Sequence, residues 1–217
     1  MEFNFYIIFD LFILLLIGMG PKIALVPFLE LTAKLDAETQ KKVARQMVMT
    51  AVVWALILVL FGWFLMGLLH FSPGAANVAG GIVLLLLALH MLISPSKSEP
   101  EEKAQEQDPM KMALYPLAVP YLLNPAGIAV LVIASGDVAA AAGGSTLIGM
   151  AILVALVLLM GWIDLLVFTN LDKLSKHLDP HRMAVTEAVF GVLLAALAVQ
   201  LFFDGLAQMG VIDMLIH

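Results

Sequence analysis

The feature that most constrains the fold of this chain is a series of six long apolar stretches. They cover residues 5–31, 47–69, 74–93, 113–134, 145–169 and 184–205. Each has about the 20 mostly apolar residues that an α-helix needs to cross a bilayer core. Hydrophobic residues make up 62% of the chain and charged residues 13%, against roughly 45–50% and 25% in soluble domains. We therefore expect an all-α integral membrane protein with six transmembrane helices.

Composition also excludes several classes of function. The net charge of −6 provides no basic surface for nucleic acid. The chain has no cysteine, so thiolate metal sites and thiol catalysis are excluded. The five histidines are scattered or terminal, and neither H-E-x-x-H nor G-x-S-x-G occurs. An intramembrane enzyme is thus the weaker alternative, and we expect no catalytic residues, metal or cofactor.

The basic residues predict how the spans are oriented. Ten of the eleven lysines and arginines follow the first, third and fifth spans: Lys34, Lys41, Lys42, Arg45, Lys97, Lys103, Lys111, Lys173, Lys176 and Arg182. The other connections and both termini contain none. Because positive residues stay on the cytoplasmic side, we expect a multi-pass protein of the cytoplasmic (inner) membrane with both termini outside.

The chain divides into two halves of opposite orientation. Residues 1–93 hold three spans, the charged segment 94–112 reads as a cytoplasmic linker, and residues 113–217 hold three more. Similar motifs recur in the same order: "GPKIALV" with "NPAGIAVLV", "GWF" with "GWI", and "GGIVLLLLALHML" with "FGVLLAALAVQLF". We interpret the halves as two inverted three-helix repeats.

Glycine and proline interrupt the first and fourth spans at corresponding places. Proline removes a backbone donor, and in lipid the freed groups need partners from protein, water or substrate. Such matched breaks in inverted halves point to a transporter's binding site; the alternative is simple kinking or close packing. We expect helices 1 and 4 to be broken, with a substrate site formed by Gly18, Gly20, Pro21, Lys22, Asn124, Pro125, Ala126 and Gly127.

Four polar side chains within the spans are the other candidates. Asn124 lies near the middle of its span, where its amide can cap a half-helix, contact a ligand or bond a neighbouring helix. Lys22 either marks function or extends toward the cytoplasm. Asp164 is the deepest carboxylate by sequence, and we expect it to pair with Lys22 or to carry a proton. Asp10 completes this candidate charge network for ion coupling.

The motif "PLAVPYLLNPAGI" resembles the second-half signature of the MarC/SnatA family of multipass membrane proteins. The stretch "VAGGIVLLLLALHML" is similar to the family's third span and "GVLLAALAVQLFFDGL" to its sixth. Two departures occur: the family usually has Asn-Pro in the first half and Gly-Pro-Gly in the second. Here Gly20-Pro21-Lys22 and Asn124-Pro125-Ala126-Gly127 stand in their places, so Asn and Gly have exchanged halves.

The resemblance implies six helices in inverted halves and, as in some family members, transport of small neutral amino acids such as glycine and alanine. We therefore expect a secondary transporter that works by alternating access. The chain has no nucleotide-binding loop, so coupling requires an ion gradient, with H+ and Na+ as candidates. The alternatives are a structural or regulatory membrane protein without flux, and an exporter of another small solute.

Overall fold

The regular structure of the chain is helical. A computed structural model describes residues 5–93, 108–141, 145–171 and 180–212, and within these ranges it contains helices and no strand. The helices are α1 (Phe5–Met19), α2 (Pro21–Thr32), α3 (Ala37–Leu69), α4 (Pro73–Ile93), α5 (Pro109–Met112), α6 (Pro125–Ala141), α7 (Thr146–Thr169) and α8 (Pro180–Gln208). Most of the expected linker, residues 94–107, lies outside the described ranges.

Several of these helices are long and apolar enough to cross a membrane. Within the described residues, four stretches qualify: Leu11–Thr32, Ala37–Leu69, Thr146–Thr169 and Gly191–Gln208. A fifth is added if Pro109–Leu122 and Pro125–Gly136, which meet at an angle of 69°, count as one span. The apolar stretch Pro73–Leu86 of α4 is shorter. Within the described residues the fold is therefore all-helical with four or five stretches that are long and apolar enough to span a membrane, and six spans are not confirmed.

Helix α3 begins ten residues before the span predicted at 47–69, because Asp36 caps its first turn. The Asp36 carboxylate accepts from the backbone N–H groups of Glu38 and Thr39, each at 3.1 Å, and from the Thr39 hydroxyl at 2.6 Å. Donation by the Thr39 hydroxyl lowers the pKa of Asp36. With 33 residues, α3 is about 50 Å long, so its polar first turns extend beyond a hydrocarbon core of about 30 Å.

The helices pack in pairs around α6. Helix α3 packs along α7 and α4 along α8, while α6 contacts α1, α3, α4 and α7. Small residues allow close approach: a Cβ added at Gly74 would lie 2.7 Å from the Gly205 carbonyl oxygen, and one added at Gly62 would lie 2.7 Å from Ser135 Oγ. Since lipid provides little hydrophobic drive between helices, such close packing is what holds membrane helices together.

Candidate functional site

The first span is broken at Gly20, as the sequence predicts. Helix α1 ends at Met19 and α2 begins at Pro21. Gly20 between them is extended, with φ −86° and ψ 166°, and no side chain caps α2. Because Pro21 has no N–H, the carbonyl four residues earlier, that of Ile17, has no helical donor.

The fourth span is broken more sharply, before Pro125. The span predicted at 113–134 is broken, as expected, and its first half is irregular: the backbone of Ala113–Leu122 forms wide π-helical turns interrupted by two extended residues, Tyr115 and Val119. Each precedes a proline to which it is joined by a cis peptide bond. The physical reason is that a residue before proline is disfavoured in the helical region. In the sequence, the "P-x-x-x-P" spacing is therefore the pattern that indicates this irregular segment.

One buried residue, Asn124, joins the two breaks. Its side-chain Nδ2 donates to the Ile17 carbonyl at 2.8 Å, and its backbone N–H donates to the Gly18 carbonyl at 3.0 Å. Its Oδ1 accepts from the Gly127 N–H at 3.0 Å, and its own carbonyl accepts from Ile128 N–H at 3.0 Å. Asn124 is therefore the N-cap of α6 and also the donor to two carbonyls that the first break leaves free.

The two breaks meet through glycine backbones. A Cβ added at Gly18 would overlap the Gly127 Cα, and one added at Gly127 would overlap the Gly18 carbonyl. Both glycines are buried. The sequence predicts that these glycines bring backbone close to a ligand; in this structure they bring the two backbones close to each other. We call this arrangement, Gly18 against Gly127 with the Asn124 hydrogen bonds, the break contact.

The other predicted residues lie around this contact. Gly20 is buried, and a Cβ added to it would overlap the Leu16 carbonyl. Pro21 and Pro125 are the first residues of α2 and α6, a position that proline suits because its missing donor is not needed there. Ala126 is 5% exposed and packs in an apolar cluster with Ile23.

The expected ion pair between Lys22 and Asp164 is not formed in this structure. Asp164 is fully buried on α7, and neither of its carboxylate oxygens has a hydrogen-bond partner. Lys22, the second residue of α2, is exposed in this structure. The side chain of Asp10 lies outside the described part of the structure.

Two apolar cavities reach the second break, and sequence reasoning missed them. The larger, about 560 Å³, lies between α4 and α6 and is lined by Phe71, Ala75, Ala76, Ala79, Gly80, Val83, Pro120, Pro125, Ile128, Ala129 and Val132. The smaller, about 390 Å³, is lined by Trp54, Leu58, Leu114, Tyr115, Val119, Leu123 and Ile128. Ile128 borders both. Alanine, valine and isoleucine are ordinary in membrane helices, so the sequence does not indicate these cavities.

In the part of the chain that the structure describes, no three His, Asp or Glu residues lie close enough to share a metal ion.

Comparison with known proteins places the chain in a family. The family model described as MarC family integral membrane protein matches residues 5–210. A UPF0056 membrane protein of Methanocaldococcus jannaschii is 26% identical over 207 residues, covering 94% of this chain and 87% of that protein. A UPF0056 membrane protein of Buchnera aphidicola is 26% identical over 194 residues, covering 89% and 93%. No solved structure shows a significant match. The chain belongs to the MarC family of integral membrane proteins.

Proposed function

We propose that this chain is a secondary transporter that moves small neutral amino acids of the glycine and alanine type across the cytoplasmic membrane by alternating access. The observation that carries the proposal is the break contact. Two interrupted helices from different halves of the chain meet there, at Gly18 and Gly127. Interrupted helices that meet near the middle of a membrane protein are the usual setting of substrate and ion sites in transporters.

The packing of the helices supports two inverted three-helix repeats, residues 1–93 and 113–217, joined by a cytoplasmic linker. Under this pairing α3 corresponds to α7 and α4 to α8, and each pair is in extensive contact. Likewise α1 contacts α6, and α2 contacts the irregular segment Ala113–Leu122. A two-fold relation in the membrane plane, with both termini outside, produces these pairings, and rocking of one half against the other then alternates access.

The two half-helix ends differ in what they offer a zwitterion. The first turn of α6 is capped by Asn124, whereas no side chain caps α2. The substrate carboxylate therefore binds at the start of α2, where the backbone N–H groups and the Lys22 ammonium favour an anion. The substrate ammonium binds the Ile17 carbonyl when the break contact opens.

Asp164 is the candidate for ion coupling. An ionised carboxylate without a partner is costly in a fully buried apolar site. Its two oxygens lack hydrogen bonds in this structure, so they can take a proton or face a cation during the cycle. We propose that Asp164 couples the movement of H+ or Na+ to that of the substrate.

The test is counterflow in proteoliposomes. Purified protein is reconstituted in vesicles loaded with unlabelled glycine, alanine, serine or leucine, and entry of the labelled amino acid is measured with an imposed proton or sodium gradient. We expect exchange of glycine and alanine that one of the gradients accelerates. Absence of exchange for every amino acid would contradict the proposal.

One observation favours the alternative of a structural membrane protein without flux. Asn124 is fully buried, and both ends of its amide are hydrogen-bonded to protein, so the break contact can also be read as packing alone. The counterflow measurement separates the two functions, because only a transporter exchanges solute across the bilayer.

A further inference from the structure

Two backbone N–H groups, those of Asn124 and Lys22, are possible donors to the Gly18 carbonyl. In this structure it accepts from the Asn124 N–H, across the break contact, at 3.0 Å. In a continuous helix it would accept from the N–H of Lys22, four residues later. Lys22 is the second residue of α2, and the extended Gly20 interrupts the helix before it. Its N–H is therefore one of the first-turn donors for which a helix provides no internal acceptor.

The neighbouring Ile17 carbonyl has no alternative donor along its own helix. Its helical donor would be the N–H of residue 21, which is a proline. Among the described residues, its donor is Asn124 Nδ2, at 2.8 Å. If the break contact opened, Gly18 could regain a donor along its own helix, whereas Ile17 would need water or a ligand.

We propose that the Gly18 carbonyl exchanges its donor, from the Asn124 N–H to the Lys22 N–H, when the break contact opens. Asn124 is then the positioning residue that holds the contact closed. For the Gly18 carbonyl the exchange replaces one backbone hydrogen bond by another, so the net free-energy change at that group is small. The opened state leaves the Ile17 carbonyl free, which is where the ammonium group of a zwitterion can bind. This last step rests on the proposed transport function.

The exchange is testable without any amino acid present. The chain has no cysteine, so Ala126→Cys provides a single reporter beside Gly127 that is buried while the contact is closed. Its rate of reaction with a maleimide measures how often the break contact opens.

The key comparison is between Lys22→Pro and Lys22→Ala, each combined with Ala126→Cys. Both remove the ammonium, but only proline removes the N–H, and position 22 is in the first turn of α2, where proline is tolerated.

We expect the reporter to react about fivefold more slowly in Lys22→Pro than in Lys22→Ala, because the open state has lost one net hydrogen bond. Equal rates would overturn the exchange. Gel filtration establishes that both variants are folded before they are compared.

A second pair of variants tests the contact from the other side and does not depend on proline. Asn124→Ser keeps an oxygen that can cap α6 but loses the donor to Ile17, whereas Asn124→Ala loses both. We expect about fivefold faster labelling in Asn124→Ser, and faster still in Asn124→Ala. Unchanged labelling in Asn124→Ser would remove Asn124 as the positioning residue, even if Lys22→Pro failed to fold.

The outcomes separate this inference from the proposed function. If labelling differs as expected but the wild-type chain exchanges no amino acid, the donor exchange stands and transport does not. If the wild-type chain exchanges amino acids but labelling is the same in both matched pairs, transport stands and the donor exchange does not.

Discussion

The two breaks of this chain have the same cause and different geometry. Each occurs where a proline begins a half-helix, Pro21 in the first span and Pro125 in the fourth. The first remains within one apolar stretch, Leu11–Thr32, and its new helix has no side-chain cap. The second turns the chain by 69° and is capped by Asn124. The second break therefore satisfies its own backbone and part of the first as well.

This difference shows how a membrane protein can place two helix breaks side by side. Breaking a helix exposes carbonyl groups at one end and N–H groups at the other. At the break contact, a single asparagine meets both kinds of group, because its amide carries a donor and an acceptor. The carbonyls at the end of α1 are satisfied in this way, whereas the first N–H groups of α2 have no side-chain cap.

The largest effect is expected from filling the break contact. Gly127→Leu places a side chain where only backbone fits, so we expect a loss of stability of more than about 3 kcal/mol. Gly67→Leu is the matched control, since a Cβ there meets nothing within 4 Å. Thermal unfolding in detergent measures both. Equal melting temperatures for the two variants would show that the glycine backbones are not in contact.

Removing the asparagine tests whether one side chain serves both breaks. Asn124→Ala leaves the buried Ile17 carbonyl without a donor and α6 without a cap, so we expect a loss of about 2–3 kcal/mol. Asn124→Ser should recover about 1 kcal/mol of this by restoring the cap alone. Complete recovery in the serine variant would mean that the hydrogen bond to the first break contributes nothing.

The charges of Lys22 and Asp164 should act independently. Because Lys22 and Asp164 form no ion pair in this structure, the effects of Lys22→Met and Asp164→Asn on stability should add to within about 0.5 kcal/mol in the double variant. Thermal unfolding is compared for the wild type, the two single variants and the double variant. A coupling well above that value would restore the pair that the sequence predicts.

The smallest effect on stability is expected from removing the exposed N-cap of α3. Asp36→Ala removes a cap that, unlike Asn124, is exposed and close to solvent. We expect a slight fall in melting temperature at pH 7. Since the folded state lowers the pKa of Asp36, the contribution is present above the carboxyl's ordinary range and disappears as the pH falls through the lowered value. A difference in melting temperature between wild type and Asp36→Ala that grew at acidic pH would contradict this prediction.

The sequence was sufficient for features that depend on local chemistry. Both breaks follow from prolines that remove donors, and the apolar stretches follow from composition. The partners of Asn124 could not be predicted, because Ile17 lies 107 residues away and nothing local links the two. Depth in sequence alone predicts the Lys22–Asp164 pair, but depth does not tell which helix face a residue occupies. Only packing shows that Lys22 is exposed while Asp164 is buried.

We propose that the break contact is the centre of a transporter. The most direct test is alanine counterflow in proteoliposomes containing equal amounts of wild type, Gly127→Leu or Gly67→Leu. We predict exchange by wild type and by Gly67→Leu, and none by Gly127→Leu, although all three insert into the bilayer. Exchange by Gly127→Leu at the wild-type rate would contradict the claim.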